Sequence, residues 1–211
     1  VLSEQEKQKV QQILGQLENP VKIHYFTQEF ECEPCSVTHQ LLELLTTLSD
    51  KLSLQTYEFK DEREKAEEFA IQEIPAIVLE GQRVYGVRFF GVPAGYEFAA
   101  LLEDLIDVSR GTTSLSAATK TLLNTLITPL HIQVFVTPTC PYCPRAVRLA
   151  HQMAIESDKV RADMVEATEF PHLAQKYGVM AVPKIVVNDG QVAFEGALPE
   201  AQFVELVLQA A

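Results

Sequence analysis

The chain holds four cysteines, and they fall into two C-x-x-C pairs, Cys32/Cys35 and Cys140/Cys143. Three residues is about one helical turn, so at a helix start the second sulfur shares a face with the first and can close a short disulfide. The start of a helix also presents unpaired N–H groups and the positive end of the helix dipole. Both favour thiolate over thiol and lower the pKa of the leading cysteine. Each pair is therefore a nucleophile with its resolving partner, suited to thiol–disulfide exchange. No cysteine is left over for structural bridges, whereas a secreted disulfide scaffold spends its cysteines differently, so the expected compartment is the cytoplasm.

What must position the second pair is the stretch 130–144. An apolar run, Leu130 to Val136, breaks at Thr137-Pro138-Thr139. A helix expected to begin at Cys140 follows, with Ala146, Leu149, Ala150, Met153 and Ile155 near helical spacing. Pro141 and Pro144 both fall within its expected first turn, where a missing N–H costs little.

Cys140-Pro141-Tyr142-Cys143, followed by Arg145-Ala146, resembles the active site of glutaredoxins, small thiol–disulfide oxidoreductases of the thioredoxin fold. Val182-Pro183, ahead of the apolar run Lys184 to Val187, resembles the second half of that signature. The resemblance implies that Pro183 is cis and lies against the dithiol, with the backbone at Val182 pairing with a substrate chain. A cis X-Pro bond costs only about 0.5–1 kcal/mol, which a folded site can hold. Tyr142 either offers an apolar face to that chain or is simply exposed.

The first pair repeats this arrangement at an offset of 108 residues. Pro75 and Pro183 each lie 43 residues after the leading cysteine, and Ile74-Pro75 matches Val182-Pro183. With one residue slipped, Val21 to Phe26 matches Leu130 to Phe135. Helices are expected at Ser3 to Leu17, with a capping box of Ser3 and Glu6, at Cys32 to Leu48, at about Lys60 to Ala70 and at Glu97 to Val108. Strands are expected at Val21 to Phe26, Leu52 to Phe59, from Ala76, and near Arg83 to Val87, with an insertion over Phe89 to Phe98. Ser109-Arg110-Gly111-Thr112-Thr113 reads as the junction, giving units 1–111 and 112–211. The second unit repeats the order with helices at Ser116 to Leu126, Phe170 to Tyr177 and Glu200 to Leu208. Its later strands are placed at Val160 to Val165, Lys184 to Val187 and Gln191 to Phe194.

This α-β-α-β-α-β-β-α order, twice, predicts an α/β protein of two tandem thioredoxin-like folds, each a four-stranded mixed sheet flanked by helices. The tandem arrangement resembles the bacterial and archaeal protein disulfide oxidoreductases. It is also similar to the N-terminal domain of the flavoprotein subunit of alkyl hydroperoxide reductase. In that flavoprotein the first dithiol is lost and a nucleotide-binding module follows. Here both dithiols are present and no G-x-G-x-x-G occurs, which favours the free-standing oxidoreductase.

The two pairs differ in charge. Glu29, Glu31 and Glu33 crowd Cys32, while the near neighbours of Cys140 are neutral, with Arg145 and Arg148 along the helix. A carboxylate about 8 Å from a sulfur opposes its ionisation by roughly 0.5 kcal/mol in water and about four times that at an effective dielectric near 20. Cys140 is thus expected to be the lower-pKa, more reactive nucleophile, and its dithiol the more oxidising. Glu58 and Glu166 end equivalent strands, and either a buried proton shuttle or a solvated strand end would suit them. His24, His39, His131, His151 and His172 sit at no metal-ligand spacing. A four-sulfur zinc site would need both pairs to converge, yet each follows its own strand and has its own proline. The glutaredoxin resemblance leaves open an iron–sulfur cluster bridged between chains.

With 29 acidic against 17 basic side chains, net −12, and no basic run, nucleic acid and anionic membranes are poor partners. No stretch is apolar enough to span a bilayer, and the N-terminus has no signal-like character. The reading is a protein disulfide oxidoreductase with no cofactor beyond its redox-active disulfides, reducing, forming or reshuffling protein disulfides. The resemblance implies a thioredoxin-reductase-like flavoprotein as reductant and a peroxiredoxin as one acceptor. The alternative is an electron-relay adaptor serving one fixed partner.

Overall fold

A computed structural model describes residues 2–211; Val1, the first residue of the expected 1–111 unit, lies outside the described residues. Ser3 caps helix α1 (Glu4–Leu14) through a reciprocal capping box with Glu6. The chain then alternates: β1 (Val21–Thr27), α2 (Glu33–Leu48), β2 (Leu52–Glu58), α3 (Arg63–Glu68), β3 (Ala76–Glu80), β4 (Val84–Phe90) and α4 (Glu97–Arg110). The second half runs α5 (Ala117–Asn124), β5 (Leu130–Val136), α6 (Cys143–Glu156), β6 (Val160–Glu166), α7 (Pro171–Lys176), β7 (Lys184–Val187), β8 (Val192–Glu195) and α8 (Glu200–Leu208).

The strands form one eight-stranded sheet in the order β2-β1-β3-β4-β6-β5-β7-β8. Each half keeps its own four-stranded set, and β4 meets β6 in parallel to make the sheet continuous. Alternation along the strands builds a core on each face. Ile23, Tyr25, Ile77, Leu79, Ile132 and Val134 face the larger core, which α1, α2, α4, α5, α6 and α8 cover. Phe26, Val78, Phe135 and Val186 face the smaller core under the short helices α3 and α7.

Three of the boundaries that depart from the sequence reading bear on the two sites. Phe89 and Phe90 are the buried end of β4, so the insertion before α4 begins only at Gly91. Ser109 and Arg110 belong to α4, and Gly111 ends that helix in the left-handed region at φ +71°. Ser109 is wholly buried and holds the chain ahead of β1, its Oγ accepting from the Glu18 and Asn19 N–H groups and donating to the Asn19 carbonyl. A serine in a polar run reads as loop; tertiary hydrogen bonding makes it a latch. The third departure is at α6, which starts at Cys143 instead of Cys140.

The seam between the halves is built around charge. Arg88 on β4 is in register with Asp163 on β6, and its Nε and Nη2 donate to the two carboxylate oxygens at 2.7 and 2.8 Å. Arg88 Nη1 donates to the Phe69 and Ala70 carbonyls beyond α3, and His131 Nε2 lies 2.6 Å from Asp163. Burial pushes the Asp163 carboxyl up, but Arg88 and His131 outweigh it and hold the group well below the usual carboxylate range. On the other face Arg148 of α6 pairs with Glu103, Asp104 and Asp107 of α4. His151 bridges Asp104 at 2.6 Å and the Arg88 carbonyl at 3.0 Å.

Removing one partner of a buried pair leaves the other charge uncompensated. Asp163→Asn should therefore lower the unfolding free energy in urea by about 3–5 kcal/mol at neutral pH. A loss under about 1 kcal/mol would mean that β4 and β6 hold together without the pair. Because the folded carboxyl titrates below its unfolded value of 3.8, this contribution is full above that value and fades as the pH falls below it.

Candidate active site

Both C-x-x-C pairs are closed as disulfides, with Cα–Cα separations of 5.2 Å for Cys32–Cys35 and 5.5 Å for Cys140–Cys143. Both pairs follow the C-terminal end of the central strand of their half, β1 and β5. In each, the second cysteine is the deeper one: Cys35 and Cys143 are buried at 1% and 0% exposure, while Cys140 keeps 8% and Cys32 is half-buried. The leading sulfurs are equivalently solvated by backbone. Cys35 N–H donates to Cys32 Sγ, and Cys143 N–H to Cys140 Sγ, each at 3.2 Å.

The local backbones differ. Cys32 is itself the N-cap of α2, with Pro34 in the first turn. Cys140 instead sits in a turn ahead of α6, its N–H donating to the Thr137 carbonyl, and Tyr142 takes the N-cap position. Pro141 is thus outside the helix, while Pro144 occupies the first turn. Tyr142 is 70% exposed.

Ile74–Pro75 and Val182–Pro183 are both cis. The Val182 carbonyl lies 3.9 Å from Cys140 Sγ, which brings the proline loop against the second disulfide. The Pro75 and Pro183 carbonyls accept from Gly91 and Gly196 N–H at 3.0 and 2.9 Å, fixing each loop to the chain beyond the next strand.

Glu58 is half-buried and accepts from the Glu29 N–H at 3.0 Å, tying the loop before Cys32 to the end of β2. Glu166 is buried, with its carboxylate turned back on its own loop. It accepts from the Thr168 N–H and hydroxyl and from the Glu169 N–H. Glu169 packs beside it and accepts from the Val92 N–H at 2.8 Å. Burial, with Glu166 alongside, pushes Glu169 up to about 7. The histidines serve packing and pairing: His24 is buried between Tyr57 and Glu80, and His151 is enclosed by α4 and β4. Among the described residues no three metal-ligating side chains converge, and no helix is long and apolar enough to cross a membrane.

Sequence reading misses Glu97. It is 1% exposed and both carboxylate oxygens are buried without a partner. Burial, aided by Asp104, pushes it up to about 8. Its location follows from the packing of α4 on α6. Asp104 meets Arg148 and His151, and Thr113 beyond α4 meets Glu156 at the end of α6, so the two helices run parallel. Glu97, two turns before Asp104 on the same face, therefore lies level with Cys143. The start of α4 is also pinned to the loop before Cys140: Tyr96 N–H donates to the Pro138 carbonyl, and Gly95, at φ +60°, approaches so closely that a Cβ would sit 2.2 Å from that oxygen. An acidic residue in a first turn reads as a dipole partner, and nothing local marks it as buried. Beside the first disulfide, on β1, stands a phenol: Tyr25 OH donates to the Cys35 carbonyl at 2.6 Å, and burial pushes it up to about 12.

Two paired C-x-x-C disulfides, each on a central strand of its own four-stranded set, define a thiol–disulfide exchange protein of the thioredoxin class. A family model described as a thioredoxin domain matches residues 130–209. A thioredoxin of Methanocaldococcus jannaschii is 42% identical over 77 residues, covering 36% of this chain and 89% of that protein. The crystal structure of a protein disulfide oxidoreductase from Aeropyrum pernix superposes with a TM-score of 0.93 at 37% identity, covering 100% of this chain and 95% of that one. The alkyl hydroperoxide reductase F chain of Xanthomonas campestris pv. phaseoli is 26% identical over 164 residues, which is 78% of this chain and 29% of that protein. The chain belongs to the thioredoxin-like protein disulfide oxidoreductases, and its redox groups are the cysteine pairs themselves.

A carboxyl held at about 8 in the folded state and near 4.5 when exposed makes folding stability fall as the pH rises between those values. In that window the unfolded chain releases a proton that the folded chain keeps. Glu97→Gln abolishes the titration, so the oxidised variant should gain on the native chain progressively from pH 5 to pH 8, reaching about 2–4 kcal/mol in denaturant titrations. A gain that is the same at both pH values would show that Glu97 does not carry the burden of an unpaired buried carboxyl.

Proposed function

We propose that Cys140 is the attacking thiolate and Cys143 the resolving thiol of the principal exchange site. Cys140 S⁻ displaces one sulfur of a substrate disulfide, forming a mixed disulfide and releasing a thiolate that takes up a proton. Cys143 then attacks Cys140 Sγ, its proton passing to the Glu97 carboxylate, and the second substrate thiolate leaves. Two electrons pass from dithiol to substrate; the same steps reversed oxidise a dithiol, and an incomplete cycle reshuffles disulfides. The observation that carries this reading is the Cys140 sulfur, less deeply buried than Cys143 at 8% against 0% exposure, with the Cys143 N–H at 3.2 Å and the Val182 carbonyl at 3.9 Å. Val182-Pro183 and Tyr142 would receive the substrate backbone and side chains. Ile74-Pro75 would do the same at Cys32/Cys35, which acts as a second exchange site or relays electrons to the first.

Units 1–111 and 112–211 would each carry one dithiol. The likeness to the alkyl hydroperoxide reductase F chain supports a place between a thioredoxin-reductase-like flavoprotein and a thiol peroxidase of the peroxiredoxin kind. The exclusively C-x-x-C use of cysteine supports the cytoplasm. Glu166, satisfied by its own loop, and Glu58, satisfied by the loop before Cys32, would shape those loops more than move protons.

Insulin disulfide reduction driven by dithiothreitol tests the reading. Cys140→Ser should abolish most turnover, and Cys32→Ser should leave a substantial part of it. Full activity in Cys140→Ser would overturn the assignment, and an inert native chain would favour a relay to one fixed partner. Alkylation of the reduced protein at neutral pH should label Cys140 before Cys32, and both well before Cys35 and Cys143. Glu97→Gln should cost about 10- to 100-fold in turnover at neutral pH and remove the rise in rate toward pH 8.

A further inference from the structure

We propose that the Cys32/Cys35 dithiol selects disulfides flanked by cationic groups, so that the two exchange sites serve substrates of different charge. The proposal rests on the exchange chemistry assigned above and concerns which disulfides reach each site. Around the first disulfide two loops are knitted together: Glu29 N–H donates to Glu58, and Glu58 N–H donates to Glu62 at 2.7 Å. These loops carry Glu29, Glu31, Glu33, Glu58, Asp61, Glu62 and Glu64 against only Lys60 and Arg63. Among the described residues none of the seven carboxylates is ion-paired; the nearby pair, Lys65–Glu68, uses other groups. Phe30, 73% exposed, stands among them as an apolar contact next to the sulfur-bearing turn.

The equivalent stretch at the second site, 136–143, has no carboxylate at all. The acids at and just past the end of β6 are taken up by the chain: Glu166 accepts from Thr168 and Glu169, and Glu169 accepts from the Val92 N–H. The exposed charge nearest in sequence is Arg145. A field of unpaired carboxylates around one reacting sulfur raises the local concentration of cationic partners and depletes anionic ones, and salt screens both effects. Glu103 and Glu200, which line a hollow with Pro141 and Pro144, are taken up by Arg148 and by Ser116 and Thr119 respectively, so the second site lacks such an unpaired field.

The exchange itself is unchanged. Cys32 S⁻ breaks the substrate S–S bond, Cys35 closes the protein disulfide, and both substrate sulfurs leave as thiols carrying the two electrons and two protons.

Reduced full-length chains with a single dithiol, Cys140→Ser/Cys143→Ser and Cys32→Ser/Cys35→Ser, are mixed with cystamine, 3,3′-dithiodipropionate and hydroxyethyl disulfide, which are cationic, anionic and neutral. At low ionic strength the cystamine-to-dithiodipropionate rate ratio should be at least about tenfold larger for the first dithiol than for the second. The difference should collapse to within about threefold in 0.5 M salt. Glu29→Gln/Glu31→Gln/Glu33→Gln in the first chain should lower its ratio toward that of the second, whatever happens to the absolute rates. Equal ratios at the two sites, or a difference that salt and the glutamine triple variant leave intact, would overturn the proposal. Hydroxyethyl disulfide separates this failure from a failure of the exchange chemistry: turnover of the neutral probe with equal charge ratios rejects selection alone, and no reaction of the first dithiol with any probe rejects both.

Discussion

The parallel contact between β4 and β6 is the constraint on which the rest of the molecule depends. A four-stranded set of this kind leaves an edge of unpaired backbone groups, and each half here uses the other to cover one such edge. Hydrogen bonding along a strand pair is not selective by itself, because any edge offers the same donors and acceptors. Arg88 and Asp163 add the selectivity, since they come into register only when β4 meets β6. The outer edges carry no such pair: Gln55 stands on β2 where Asp163 stands on β6 at the repeat offset. The desolvation of the ion pair is offset by the Phe69 and Ala70 carbonyls and by His131, which saturate the groups that Arg88 and Asp163 do not give to each other.

That seam fixes where α4 lies, against α6 and the loop before Cys140. The helix belongs to the first half by sequence, yet Arg148 and His151 of α6 bind its buried face. The parallel packing brings Glu97 to the level of Cys143, and the Gly95–Pro138 approach leaves no room for the start of α4 to drift. A carboxyl in this position finds no donor, so it remains protonated well above its ordinary range. The first disulfide has no second half folded over it in this way, and the group beneath it is the Tyr25 phenol, which holds its proton at neutral pH.

Much of this is legible in one sequence because the repeat carries its own check. Two C-x-x-C pairs and two prolines at the same spacing, with matching apolar runs, leave few arrangements other than a duplicated unit, and the strand alternation then fixes which face each residue takes. The start of α6 is misplaced by sequence because Pro141 suits a first helical turn as well as it suits the loop before one; the Cys140–Thr137 turn decides between them. Ser109 and Glu97 are invisible for a common reason. Each is polar, each sits where a polar residue is ordinary, and each is buried only by elements from elsewhere in the chain: the segment before β1 for Ser109, and α6 for Glu97. Periodicity reports the face a helix turns inward, not which foreign element will close over its end.

The duplication also explains why the two dithiols have diverged. Joining the halves side by side places the second disulfide, after β5, nearer the seam, with the start of α4 against its loop, and the first, after β1, toward the β2 edge. Charge follows the same division. Near the seam Glu166 is drawn into hydrogen bonds with its own loop, while Glu169, with one oxygen bonded to the Val92 N–H and the other unpartnered, is pushed up to about 7. At the outer site Glu29, Glu31 and Glu33 remain exposed at little cost, free to act on whatever approaches Cys32.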